Sequence, residues 1–273
     1  MSRDAGLGRA LEGALVGLDA HVHRDPIRFP GRYKAPGDVE IAAVYAAQLA
    51  FGRVELFGPV LARLFAEMDA VGGPASWVAE GGPDTGDPLV YRWFGRADLL
   101  ALAGALARLQ AAEGLAAAFS GPTGEAAIEV GVTRLRALVD DRSARGRFFD
   151  TWFARPSSGS ACKRWCMFLR WMVRPGAPDL GIWTHLSPAT LVMPVDTHVL
   201  RIAQLTGLTD RRTADWKTAL QITSRLRDYS ADDPIRYDFA LAHLGISSGC
   251  TGTASPACDG CAMRSVCRVH VPG

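Results

Sequence analysis

Lysine is nearly missing from this chain: of 30 basic residues only Lys34, Lys163 and Lys217 are lysine, and the rest are arginine. Net charge is also low, +2 over 273 residues, with 21% charged and 48% hydrophobic residues. That balance excludes a disordered chain, a collagen-like repeat and a disulfide-dense miniprotein, each of which needs a more extreme composition. No uninterrupted apolar run approaches the roughly 18 residues of a membrane helix. The opening stretch, MSRDAGLGRALEG, scatters charges without an apolar centre, so no signal peptide is expected and the expected compartment is cytoplasmic. Alternating apolar and polar residues, the mark of a half-buried strand, are almost absent.

What is present is helical periodicity. Apolar stripes recur at three or four residues through Ile41–Leu49, Val54–Met68, Leu99–Leu109, Glu125–Val139, Cys162–Val173, Val195–Leu205, Trp216–Leu226 and Ile235–Leu244. Asp38 precedes the first stripe, and Asp233-Pro234 reads as an N-cap followed by a first-turn proline. Clusters such as Gly72-Gly73-Pro74 and Pro156–Gly159 punctuate the stripes. The fold class is therefore all-α.

Charge is unevenly placed. Residues 134–174 hold ten Arg and Lys against three Asp, so the remainder of the chain is acidic. Such a block forms either a polyanion-binding face or an ordinary solvated arginine-rich surface.

Six cysteines fall into two groups. Cys162 and Cys166 stand four apart on an apolar stripe and read as buried structural residues. Cys250, Cys258, Cys261 and Cys267 form Cys-x7-Cys-x2-Cys-x5-Cys in a segment with few large apolar residues. A metal centre would supply the constraint that such a segment lacks. The spacing accepts either tetrahedral Zn or a [4Fe-4S] cluster.

The segment Leu241-Ala-His-Leu-Gly245 followed by these four cysteines closely resembles the cluster loop of the endonuclease III branch of the helix-hairpin-helix DNA glycosylases, with a first interval one residue longer. The resemblance implies a [4Fe-4S] cluster rather than Zn at Cys250, Cys258, Cys261 and Cys267. Pro194-Val-Asp-Thr-His-Val199 is similar to the string that carries the catalytic aspartate of that superfamily, which implies that role for Asp196, with Thr197 and His198 as supports. Helix capping is the alternative role for Asp196, and the two are compatible.

The superfamily's hairpin lies upstream of this aspartate and leads to a lysine. Here Pro156-Ser-Ser-Gly-Ser160 precedes Cys162-Lys163-Arg164, with Gly159 alone in place of the usual Gly-x-Gly. Turn amides at Ser158, Gly159 and Ser160, with Arg164, are the implied DNA phosphate contacts. Lys163 is the implied nucleophile. Phosphate can be held by Arg, which this chain uses almost everywhere, but only a deprotonated lysine can attack carbon. Ala46-Ala47-Gln48-Leu49 is similar to the stretch from which endonuclease III inserts a glutamine into the duplex, so Gln48 is either that residue or an ordinary surface one. Tyr91-Arg92-Trp93-Phe94 is either core or a stacking wall for a base. Trp165 and Trp171 read as core.

The resemblance also implies two helical lobes, residues 37–175 and residues 1–36 with 176–273, with a cluster loop at 250–267. It further implies base excision repair on double-stranded DNA by a glycosylase with AP lyase activity. Residues 175–191 read as an insertion. The competing expectation is a non-catalytic iron–sulfur DNA-binding protein on the same scaffold, and a third is a Zn-tailed helical protein without nucleic acid.

Overall fold

Twelve α-helices account for nearly all regular structure in the computed structural model, which describes residues 3–83, 85–139 and 147–271. They are α1 (Arg3–Ala14), α2 (Pro36–Leu49), α3 (Val54–Ala70), α4 (Pro74–Ala79), α5 (Arg96–Ala112), α6 (Leu115–Ala118), α7 (Gly124–Ala137), α8 (Arg147–Trp152), α9 (Lys163–Val173), α10 (Thr197–Thr206), α11 (Trp216–Arg227) and α12 (Asp238–Ile246). No strand occurs among the described residues, only isolated bridges at Tyr91–Phe94 and Ser160–Asp215. The protein is all-α. No described helix is long and apolar enough to cross a membrane.

Helix α2 sits at the centre. Every residue from Val39 to Leu49 is buried, and the helix packs against α3, α4 and α9. Its small residues, Ala42, Ala43, Ala46 and Ala47, let neighbours approach closely on all sides. Helix α9 is the second core element, buried from Trp165 to Val173, with Trp165 and Trp171 both in the interior. Helices α10 and α12 pack on each other, and α12 also meets the 3-10 turn Leu18–Arg24.

Asp38 lies in the first turn of α2, ahead of the stripe, and its carboxylate accepts from the Ala75 amide at 2.8 Å, which caps the start of α4. One local expectation is corrected. Asp233-Pro234 opens a turn and α12 starts only at Asp238, because the Asp233 carboxylate is taken by Arg174 at 2.7 Å. Residues 175–191, expected to be an insertion, contain only the 3-10 turn Pro188–Thr190.

Candidate functional site

Lys163 is the first residue of α9, and the chain reaches it through a tight turn. After α8, Pro156–Ser158 makes a single 3-10 turn, and Gly159 reverses direction at φ 78°, a region glycine enters without strain. The Gly159 carbonyl accepts from the Trp216 amide at 3.1 Å, fastening the turn to the start of α11. The serines hold the turn together: Ser158 Oγ donates to the Arg155 carbonyl (2.6 Å), Ser157 Oγ donates to Glu129 (2.7 Å), and Ser160 Oγ accepts from the Cys162 amide (3.2 Å). Ser158 and Gly159 remain exposed. Cys162, just before Lys163, adopts a left-handed conformation at φ 48°, rare for a residue with a side chain. Burial pushes its thiol up to about 12 and raises the Cys166 thiol behind it as well, so both are inert interior groups. An open pocket of about 220 Å³ runs beside the turn, lined in part by Thr151, Ser160, Cys162, Lys163 and Arg164.

Asp196 caps α10. One carboxylate oxygen, Oδ1, accepts from the amides of His198 (2.9 Å) and Val199 (3.0 Å), two of the donors that a helix start leaves unpaired. The other oxygen, Oδ2, lies 3.7 Å from Lys163 Nζ, and both side chains keep about a quarter of their surface exposed. Capping and facing the lysine are therefore done by different oxygens of one carboxylate. Gly245 on α12 sets where α10 begins: a Cβ there would stand 2.7 Å from the Cβ of His198. His198 Nδ1 in turn accepts from Arg201 at 3.1 Å.

A buried charge network lies behind this pair. Arg170, two turns along α9 from Lys163, is 3% exposed and bonds Asp238 at 2.5 Å and Asp179 at 3.1 Å. Arg174 joins Asp179 and Asp233. Burial pushes the Asp238 carboxyl up, Asp196 adding to the rise, while Arg170 and Lys163 oppose it. For Arg170 burial acts downward, but Asp179 and Asp238 outweigh it and hold the guanidinium charged. Asp238 thus belongs to the electrostatic surroundings of the Lys163–Asp196 pair. Sequence reasoning missed it, because it has no motif and its partner is 68 positions away.

This network corrects the picture of a continuous basic face. Arg170 and Arg174 are interior, Arg134 pairs with Glu113 (2.7 Å), and Arg155 bonds Thr133 (3.0 Å) near Glu129. Arg142, Arg145 and the Arg147 side chain lie outside the described residues. Arg164 points inward as well: its guanidinium donates to the backbone carbonyls of Gln48 (3.2 Å) and Thr151, and burial pushes its pKa down to about 10. It ties α2 to α8 in this structure and presents no free fork to a phosphate. Gln48 is fully buried, and both polar atoms of its amide lack a partner. The side chain does not reach the surface, so neither the inserting role nor an ordinary surface role matches its position here.

Cys250, Cys258, Cys261 and Cys267 line one small cavity of about 30 Å³, whose other walls include Leu205 of α10 and Leu244 of α12. Burial pushes the Cys261 thiol up, and the other three cysteines add to the rise, so all four are electrostatic neighbours. Among the described residues no three His, Cys, Asp or Glu side chains are placed to hold a single metal ion. The donor set is all sulfur, the four thiols border the same cavity, and the chain after them is pinned by the bond from the Arg268 amide to the Leu205 carbonyl (2.8 Å). These residues fit a sulfur-ligated group. Such a group would brace the C-terminal end of α10, whose N-terminal end carries Asp196.

Residues 25–247 match the model of a family described as a protein of unknown function, DUF2400, and the chain belongs to that family. The match includes Lys163, Asp196, Arg170 and Asp238 and stops three residues before Cys250. No curated protein and no solved structure matches the chain.

Proposed function

We propose that this protein is a DNA repair glycosylase with abasic-site lyase activity, built on the helix-hairpin-helix scaffold that its sequence resembles. The observation that supports it most is the placement of Lys163 Nζ 3.7 Å from Asp196 Oδ2, two residues 33 positions apart that meet at the starts of two helices. A damaged nucleotide in double-stranded DNA rotates out of the stack towards the lysine. Asp196 Oδ2 takes a proton from Lys163 and passes it to the departing base, and the carboxylate so restored stabilises the cation that develops on the sugar. The amine nitrogen bonds to the anomeric carbon as the glycosidic C–N bond breaks and the base leaves with the electron pair and a proton. Sugar ring opening gives a Schiff base, from which β-elimination expels the 3′ phosphate. Asp238 and Arg170 fix the charge environment from behind; the Ser158 and Gly159 amides already donate to the carbonyls of Arg155 (3.0 Å) and Pro156 (2.8 Å), so of the three turn amides Ser160 is the one to meet a backbone phosphate.

Cys250, Cys258, Cys261 and Cys267 would hold the [4Fe-4S] cluster, whose contribution is structural. The purified protein is expected to contain about four iron and four sulfide per chain and a broad absorbance near the blue edge of the visible. Zinc alone would overturn the cluster assignment.

The lyase is tested by borohydride trapping on a duplex with one abasic site. Wild type is expected to give a covalent adduct, and Lys163→Gln is expected to lose it by at least a hundredfold while duplex affinity changes less than threefold. Adduct surviving in Lys163→Gln would overturn the assignment of the nucleophile. Absence of adduct in wild type, with duplex binding intact, would leave the non-catalytic DNA-binding reading.

A further inference from the structure

A strained turn that packs on α8, and through it on the start of α9, presents aromatic surface to solvent. Tyr91 and Phe94 exchange backbone hydrogen bonds (2.8 and 2.9 Å) and bury their rings, which leaves Arg92 and Trp93 at the tip. Trp93 is 42% exposed, and neighbouring Val90 is 60% exposed. Arg92 sits at φ 55° and Leu89 at φ 39°; with Cys162 they are the only non-glycine residues at positive φ among the described residues. Left-handed backbone is unfavourable for an ordinary residue, and such strain concentrates at functional sites.

The tip leans on Phe51, which follows α2. Phe51 lies 5.4 Å from Trp93 and 4.8 Å from Tyr91 between ring centroids, and the Arg92 guanidinium stands 5.4 Å from the Phe51 ring and 6.0 Å from Trp93. Gly52 makes this approach possible: at φ +83°, a Cβ there would be 2.6 Å from the Arg92 side chain. The ledge is rigidly joined to the lysine. Phe94 packs on Trp152 of α8 at 5.0 Å, Trp165 donates to the Trp152 carbonyl at 2.7 Å, and Arg164 stands 5.7 Å over the Phe51 ring. Trp165 and Arg164 lie directly after Lys163 on α9.

We propose that Phe51, Arg92 and Trp93 form a stacking platform for an unpaired nucleobase of the DNA strand whose sugar reaches Lys163. Flat aromatic faces interleaved with guanidinium groups stack on any base and attract the phosphates on either side of it. Exposed Arg53, one residue beyond Gly52, lies at the same edge, 3.7 Å from exposed Glu55. Buried Gln48 leaves the end of α2 without a side chain directed at DNA, and half-buried Phe51, three residues on, supports the exposed Trp93 there. This inference rests on the DNA reading but not on the lyase chemistry.

The test uses Lys163→Gln protein, which cannot form the adduct, and a single-stranded oligonucleotide carrying one 2-aminopurine. The parent is expected to quench the fluorescence on binding. Adding Trp93→Ala should remove most of that quenching and weaken binding about tenfold, whereas Trp93→Phe should keep both, with unchanged melting temperature in all three. Equal quenching and affinity in the Trp93→Ala protein would overturn the platform. Quenching that Trp93→Ala removes, combined with no borohydride adduct in wild type, would uphold the platform and reject the lyase. Adduct in wild type, with Trp93→Ala indistinguishable from its parent, would do the reverse.

Discussion

Replacing Arg170 by methionine is expected to destabilise the protein by about 3–5 kcal/mol, the usual cost of removing one partner from a buried ion pair. Arg170 is 3% exposed and faces Asp179 and Asp238, which are equally sequestered. Methionine fills much of the volume, so the loss is electrostatic: two carboxylates remain out of water with their shared cation gone. Arg174 cannot replace it, because its guanidinium is already spread over Asp179 and Asp233. The pH dependence gives the sharper test. Burial already holds the Asp238 carboxyl above the usual carboxylate range, and loss of Arg170 raises it further. A carboxyl whose folded pKa exceeds its unfolded value binds more protons in the native state, so stability falls as pH rises from about 4 through the folded pKa. Urea melts should therefore show a larger deficit at pH 8 than at pH 5. Adding Asp238→Asn to Arg170→Met should recover part of the loss at pH 8. A deficit below 1 kcal/mol, or one independent of pH, would mean that the network is not the charged cluster described.

The same network shows which features were legible in the sequence. Periodicity revealed the all-α class because helix burial is written every three or four residues, and the eight stripes all became helix. Asp196 and Lys163 were legible because each stands at a helix start, within a local string of residues. The two cysteine groups were legible because chemistry restricts their use: Cys162 and Cys166 are buried, and the other four share one cavity. Partnership across long separations left no local trace. Nothing near Asp233 announced that Arg174, 59 positions away, would take its carboxylate from the helix start. Nothing near Arg164 or Arg170 distinguished an inward guanidinium from a solvated one. Ala46-Ala47-Gln48-Leu49 carries no sign that α9 would cover its glutamine, since burial of a central helix depends on what packs against its polar side as well.

Asp196→Asn and Asp196→Ala are expected to separate the two jobs of that carboxylate. Asparagine keeps an oxygen at the Oδ1 position and is as good an N-cap as aspartate, so the His198 and Val199 amides stay bonded and stability should change by less than about 1 kcal/mol. It cannot take a proton from Lys163 or carry the charge that faces it at 3.7 Å. Base release and Schiff-base formation should fall about 10²–10⁴-fold, the range of a lost general base. Alanine removes the cap as well, adding about 1 kcal/mol of destabilisation. It should be no less active than asparagine once both are measured well below their melting temperatures, since the catalytic oxygen is already gone. Thermal melts beside single-turnover rates on a lesion duplex decide the point. Equal stability losses in the two variants would mean that the cap bonds depend on the carboxylate charge itself. Full activity in Asp196→Asn would leave Asp196 a capping residue only, and the base would then be sought in Asp238, a second carboxylate electrostatically coupled to Lys163.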